Sequence, residues 1–131
     1  MEVMKRETWP AIMDKAERSV LILAPWIDDD LIGELFCFLP PIDLKILFPR
    51  ITLEKKGHKE FRYYLREVLD INLDADIRVI DEDIPACLVV DGDRFLVSKT
   101  YSEILKEKGG KDTKTGIAYA MRAWELGNPW S

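Results

Sequence analysis

The chain has one histidine, His58, and two cysteines, Cys37 and Cys87, fifty positions apart. Zinc sites need three or four Cys, His or carboxylate ligands at short recurring spacings, and no such pattern is present. Two cysteines also exclude a disulfide scaffold of the small secreted kind. Both lie in apolar surroundings and read as buried thiols acting as small hydrophobes; pairing them would need an oxidising or hyperthermophile setting. Asparagine occurs twice and glutamine not at all, beside heavy use of Glu, Lys, Asp and Arg. That usage matches thermophile proteins. Apolar runs such as Val20 to Pro25 and Leu88 to Val90 are far too short to span a bilayer. The opening MEVMKRETWP has two basic residues and no apolar core behind them, so no signal peptide and a cytoplasmic location are expected.

An excess of positive charge is missing too. The net charge is −5 and the pI near 5.0, which on average repels phosphate backbones and weighs against nucleic acid and anionic membranes as partners. Lys106, Lys108, Lys111 and Lys114 make the one dense basic cluster and read as a solvated loop. The carboxylate runs Asp28-Asp29-Asp30 and Asp81-Glu82-Asp83 match no calcium loop. Helix capping and turn chemistry account for both, so no metal and no cofactor are expected.

What remains is a chain of 131 residues, 47% apolar and 33% charged, long enough to bury a core as a single domain spanning 1–131. Residues 4 to 17 suggest a helix starting near Thr8. Ser19 to Ala24 is a branched apolar run of the kind that forms a strand buried on both faces. Asp28 or Asp29 can cap a helix carrying Leu31, Leu35, Phe36 and Phe38-Leu39, and Pro40-Pro41 stops it. Leu44 to Phe48 is a second strand, Thr52 to Gly57 a polar connection, and His58 to Leu69 an amphipathic helix. Ala75 to Ile80 and Pro85 to Val90 are strands. Asp91-Gly92 signals a hairpin into a fifth strand, Arg94 to Ser98. Tyr101 to Lys106 suggests a short helix, Lys111 to Thr115 a mobile stretch, and Gly116 to Glu125 a last helix capped by Gly127. The expected fold class is α/β: a mixed sheet of about five strands flanked by helices.

The most informative stretch is Ile77 to Lys99, IRVIDEDIPACLVVDGDRFLVSK. Together with Ala24-Pro25-Trp26-Ile27 and the strand Leu44 to Phe48, it resembles a single repeat of the phospholipase D-like superfamily over roughly residues 8 to 125. Ile84 to Gly92, IPACLVVDG, is similar to the segment found in the effector-binding half of TrmB-type archaeal transcription regulators. Those regulators carry a winged helix before this domain, and none is expected within these 131 residues. Active members of the superfamily use a histidine nucleophile and a lysine two residues on, which share one strand face. With Asp91 in the aspartate slot, those positions fall on Ile84 and Ala86; a shift of one puts them on Pro85 and Cys87. Neither register holds the pair. The resemblance therefore implies the fold without the chemistry.

Three functions follow as expectations. The first is a non-catalytic regulatory module that binds a small ligand or a protein partner. It would be a homodimer by resemblance, with the Trp124 to Trp130 segment as a candidate contact and Arg50, Asp91, Arg94, Ser98 and Lys99 as candidate ligand-binding residues. The second is a phosphodiesterase or nuclease with displaced groups, drawing on His58 or Cys87 near Arg50, Arg94 or Lys99. The third is a transcription-regulator-related nucleic-acid partner acting through the lysine cluster. No catalytic residue is assigned. His58 reads as a surface residue at a helix start, and one member of each aromatic pair, Tyr63-Tyr64 and Trp124 with Trp130, is expected in the core.

Overall fold

A computed structural model describes residues 2–37, 42–98, 101–108 and 112–130. Its centre is a mixed sheet of seven strands in the order β1-β6-β5-β2-β3-β4-β7. These are β1 (Glu2–Met4), β2 (Ser19–Leu23), β3 (Asp43–Pro49), β4 (Asp76–Ile80), β5 (Cys87–Val90), β6 (Arg94–Ser98) and β7 (Asn128–Pro129). β2, β3 and β4 run parallel to one another, β5 is antiparallel to β2, β6 is antiparallel to β5, and β1 is parallel to β6. The five expected strands are all present. The two additions are edge strands of three and two residues, too short for a side-chain period to announce them.

The helices are α1 (Trp9–Met13), preceded by a 3-10 turn over Arg6–Thr8, then α2 (Asp29–Leu35), α3 (Arg50–Glu54), α4 (Lys59–Ile71), α5 (Ser102–Glu107) and α6 (Thr113–Leu126). Alternate strand residues face opposite layers. Ile22, Ile46, Val79, Leu88 and Leu96 pack with α1, α2 and α4. Leu21, Leu23, Leu47, Val89, Phe95 and Val97 pack with α5 and α6. The central strands are thus apolar on both faces because both faces are covered. Burying each such side chain contributes about 1.5–3 kcal/mol, more than the ladder hydrogen bonds net individually at about 1 kcal/mol, so burial fixes the register.

Local chemistry explains most boundaries. Asp28 caps α2, its Oδ1 accepting the Leu31 N–H at 2.9 Å. α4 buries Leu65 and Val68 and keeps its charged residues outward. Asp112 and Thr115 form a reciprocal capping box at the start of α6, so residues 112–115, expected to be mobile, open a helix instead. The expected helix over 4–17 is shorter: residues 2–4 pair with β6, and the α-helix occupies only Trp9–Met13. The connection after β3 contains α3, which the polar composition concealed. Phe38, Leu39, Pro40, Pro41 and Lys111 lie outside the described residues.

Gly127 follows α6 but is not left-handed; its φ is −73°. Glycine is needed there for space, since a Cβ would stand 2.8 Å from Leu47 Cδ1. The chain then turns to pair β7 with β4. Trp124 is buried with the Arg78 guanidinium 4.3 Å from its ring centroid, and Trp130 is half-buried under Arg66 at 5.0 Å. Both indoles of the expected contact segment are therefore engaged within the chain. Neither Tyr63 nor Tyr64 is in the core; they are 58% and 40% exposed. Cys37 is exposed, contrary to expectation, and Cys87 is buried; both are free thiols.

Candidate functional site

In a mixed sheet of this kind, ligands favour the edge at the carboxyl ends of the parallel strands. β2, β3 and β4 end there at Leu23, Pro49 and Ile80, and β6 ends there at Ser98, while antiparallel β5 starts there at Cys87. The turn Pro25-Trp26 leaves β2 at this edge, and a cleft opens on either side of it.

The smaller cleft, about 220 Å³, is lined by Pro25, Asp83, Ile84, Pro85, Tyr101 and Lys108. This is where an H-x-K pair would be expected. Ile84 and Ala86 are 3% and 1% exposed, and Cys87 is fully buried in the layer under α5 and α6. Burial pushes the Cys87 thiol well above its ordinary range, so it stays protonated and is a poor nucleophile. His58 sits at the N-cap position of α4. Its Nδ1 faces the Thr52 carbonyl at 2.6 Å; a carbonyl only accepts, so Nδ1 carries the proton and donates. The ring also packs edge-on against Phe61. Those contacts fit a residue that joins α4 to the α3 segment.

The structure divides the candidate ligand-binding residues between two edges. Arg50 starts α3 at the carboxyl edge, and its Nε donates to Asp81 Oδ1 at 2.8 Å. Ser98 ends β6 at the same edge, with its backbone N–H donating to the Ala86 carbonyl. Asp91 and Arg94 lie at the opposite edge, across the four residues of β5, about 13 Å of strand at about 3.3 Å per residue. Asp91 therefore does not neighbour Ala86 and Ser98 in one cleft. Lys99 lies outside the described residues.

Asp91 is occupied by its own chain. It has φ +54° and Gly92 φ +74°, the left-handed pair that a tight hairpin turn of type I′ requires. Its Oδ1 accepts from the backbone N–H groups of Arg18 at 2.7 Å and Ser19 at 3.0 Å, and Oδ2 from that of Glu17 at 3.1 Å. These amide donors, Ser19 first, hold its carboxyl below the usual aspartate range. Arg94 is likewise committed: Nε and Nη2 bind both carboxylate oxygens of Glu2 at 2.7 and 2.8 Å, fastening β1 to β6.

The larger cleft, about 470 Å³, lies between α1, α2 and the Pro25-Trp26 turn. Its volume falls within the range of small-molecule sites. Trp9 and Trp26 stand against each other with ring centroids 5.8 Å apart. Met13, Ile22 and Leu31 give it an apolar floor, and carboxylates of Glu7, Asp28, Asp30 and Glu34 surround it. Burial, and then the neighbouring carboxyl of Asp14, hold Glu34 above the usual glutamate range. Sequence reasoning took Asp28 to Asp30 as capping residues, which Asp28 is, and missed the cavity. Its walls come from four separate stretches, residues 7–13, 22, 26 and 28–34, and no spacing along the chain signals that they meet.

Comparison with solved structures finds a likeness to TrmBL2, an archaeal chromatin protein whose structure shows a novel mode of DNA binding. The likeness is one of fold. The TM-score is 0.56 at 14% identity, over 95% of this chain and 49% of that one. The chain thus spans about half the length of the protein it matches. No family model matches, and no curated protein does. Among the described residues, no helix is long and apolar enough to cross a membrane.

Proposed function

We propose that this chain is a non-catalytic phospholipase D-like module that acts in regulation by binding a small ligand, in the manner of the effector-binding half of TrmB-type regulators. The observation that carries the reading is the state of the catalytic slots. Ile84, Pro85, Ala86 and Cys87 are apolar or a protonated thiol, and all are buried. A nucleophile must reach its phosphorus, and none of these side chains can. The likeness in fold to half of a TrmB-related protein supports the same reading. DNA binding is not part of it, because net charge −5 disfavours a phosphate backbone. The larger cleft is the proposed ligand seat, and a homodimer is the proposed assembly, by resemblance alone.

The test is a turnover assay with bis(p-nitrophenyl) phosphate and with single- and double-stranded DNA. No cleavage above a heat-inactivated control is expected. Cleavage that disappears in His58→Ala or Cys87→Ala would overturn the non-catalytic reading in favour of a displaced active site. Sedimentation at high concentration checks the assembly, and a monomer there would remove the dimer.

A further inference from the structure

Apolar exposure is concentrated on the outer side of α4. Of the eight large hydrophobic side chains exposed among the described residues, four lie within eleven positions: Tyr63, Tyr64, Ile71 and Leu73. Tyr63 and Tyr64 pack edge-on with ring centroids 5.5 Å apart, and Phe36, at the end of α2, supports Tyr64 at 6.5 Å. The Tyr63 hydroxyl donates to Glu67 on the next turn. The two rings are therefore held in place near the middle of the helix. At about 100° per residue, Lys59, Tyr63 and Asp70 fall within about 40° of one another, on the side opposite the buried Leu65 and Val68. Scattered single hydrophobics on a surface need no account, but a gathered set rimmed by charge marks an interaction surface.

The charges along α4 say what covers it. At its start Lys55, Lys56 and Lys59 outnumber Glu54 and Glu60; at its end stand Asp70 and, just beyond, Asp74; all of these are exposed. The helix dipole adds charge of the same sign at each end. An acidic partner would suit only the first end and a basic partner only the second. A second copy of the chain, turned end for end, suits both. Lys59 and Asp70 are eleven residues apart, about 16 Å along the helix, so they cannot pair within one chain. Neither has an ion-pair partner among the described residues. Their midpoint falls between Tyr64 and Leu65. A two-fold axis there sets Lys59 against the partner's Asp70 twice, because such an interface repeats every contact. Tyr63 and Tyr64 of both copies then meet at the centre, giving the aromatic middle and charged rim of a protein interface.

We propose that two copies of this chain pair through α4, antiparallel about a two-fold axis, with the tyrosines of both at the centre and Lys59 of each against the partner's Asp70. This rests on the homodimer reading above and names its interface.

The experiment is sedimentation equilibrium of the intact chain at low salt. The wild type should dimerise, and Tyr63→Ala should weaken the dimer at least tenfold. Lys59→Asp and Asp70→Lys should each weaken it by about tenfold, since each sets two like-charge pairs across the axis. Both substitutions in one chain should restore the wild-type affinity, and the two single variants mixed in equal amounts should pair with each other. A purely local role for either residue predicts neither rescue. Arg122→Glu, a charge reversal at an exposed position of α6, should change nothing. All four positions are exposed, and circular dichroism checks that the variants fold. Single variants that dimerise like the wild type, or a double variant no tighter than the singles, overturn α4 as the interface while leaving a homodimer through another face. A wild type that stays monomeric at millimolar concentration overturns both the interface and the homodimer. The non-catalytic reading falls separately, on phosphodiester turnover.

Discussion

Replacing Asp91 should unfasten the start of β2 from the β5–β6 hairpin. Three backbone N–H groups, of Glu17, Arg18 and Ser19, converge on its carboxylate. A hydrogen bond to a charged acceptor contributes about 1.5–3 kcal/mol when shielded, but this one is near the surface, where solvent screening lowers each to about 0.5–1 kcal/mol. The backbone adds a second contribution: φ is +54°, a conformation that Asp and Asn tolerate and in which another residue with a Cβ, such as Ala, pays about 1 kcal/mol. Asn tolerates that conformation and keeps one neutral acceptor, so Asp91→Asn should destabilise by about 1 kcal/mol. Asp91→Gly loses the acceptors without the left-handed penalty, about 2 kcal/mol, and Asp91→Ala loses both, about 3 kcal/mol. Urea unfolding followed by circular dichroism measures the series. The pH dependence has a definite sign. The carboxyl is held below its ordinary value of 3.8 in the folded chain. Its contribution is therefore fully present above that value and is lost as pH falls through the lower folded value. The gap between wild type and Asp91→Asn should stay constant from neutral pH down to about 4 and close below it. An Asp91→Ala cost under about 0.5 kcal/mol, or a gap that persists to the lowest pH, would refute the clamp.

Gly116→Ala should destabilise by about 1–3 kcal/mol by overpacking, because its Cβ would stand 2.7 Å from the buried Phe95 ring; thermal unfolding reads this, and an unchanged melting temperature would contradict the packing of α6 on the sheet. Glu34→Gln should raise the melting temperature at neutral pH, since burial beside Asp14 holds the acid above its ordinary value of 4.5. That penalty sets in as pH rises from 4.5 through the raised folded value and is absent below 4.5, so the two proteins should converge at low pH; Asp14 is the neighbouring acid that adds to the effect of burial. In native protein, Ellman's reagent should modify Cys37 rapidly and leave Cys87 untouched until urea is added, following exposure and thiolate character.

Several elements were legible because their signals are local. SVLIL is a run of branched residues that must be buried on both faces, and β2 is so buried. Asp28 precedes an apolar helix and caps it, and Asp91-Gly92 supplies the two left-handed residues of a hairpin. The short edge strands β1 and β7 were not legible. Three and two residues carry no period, and their strand state comes only from the neighbour each one pairs with. The candidate ligand-binding residues Arg50, Asp91, Arg94 and Ser98 are polar groups that a sheet could gather near its strand ends, and strand direction separates them. Ser98 stands at the carboxyl edge, whereas Asp91 and Arg94 stand at the other and are held by the α1–β2 connection and by Glu2.

By itself, the sequence determined the α/β class, the identity of the central strands, the hairpin, and the absence of a histidine–lysine pair from Ile84 to Cys87, because each depends on residues within a few positions of one another. Tertiary structure alone decided which polar groups are engaged and which are available. Asp91 and Arg94 look like free charges in the sequence, yet contacts seventy or more positions away engage them. Glu7, Trp9, Trp26 and Glu34 look like surface acids and core aromatics, yet chain folding brings them around one cavity. The physical reason is that a hydrogen bond, a counter-charge or a cavity wall is a property of distance in space, and the chain alone sets only distance along itself.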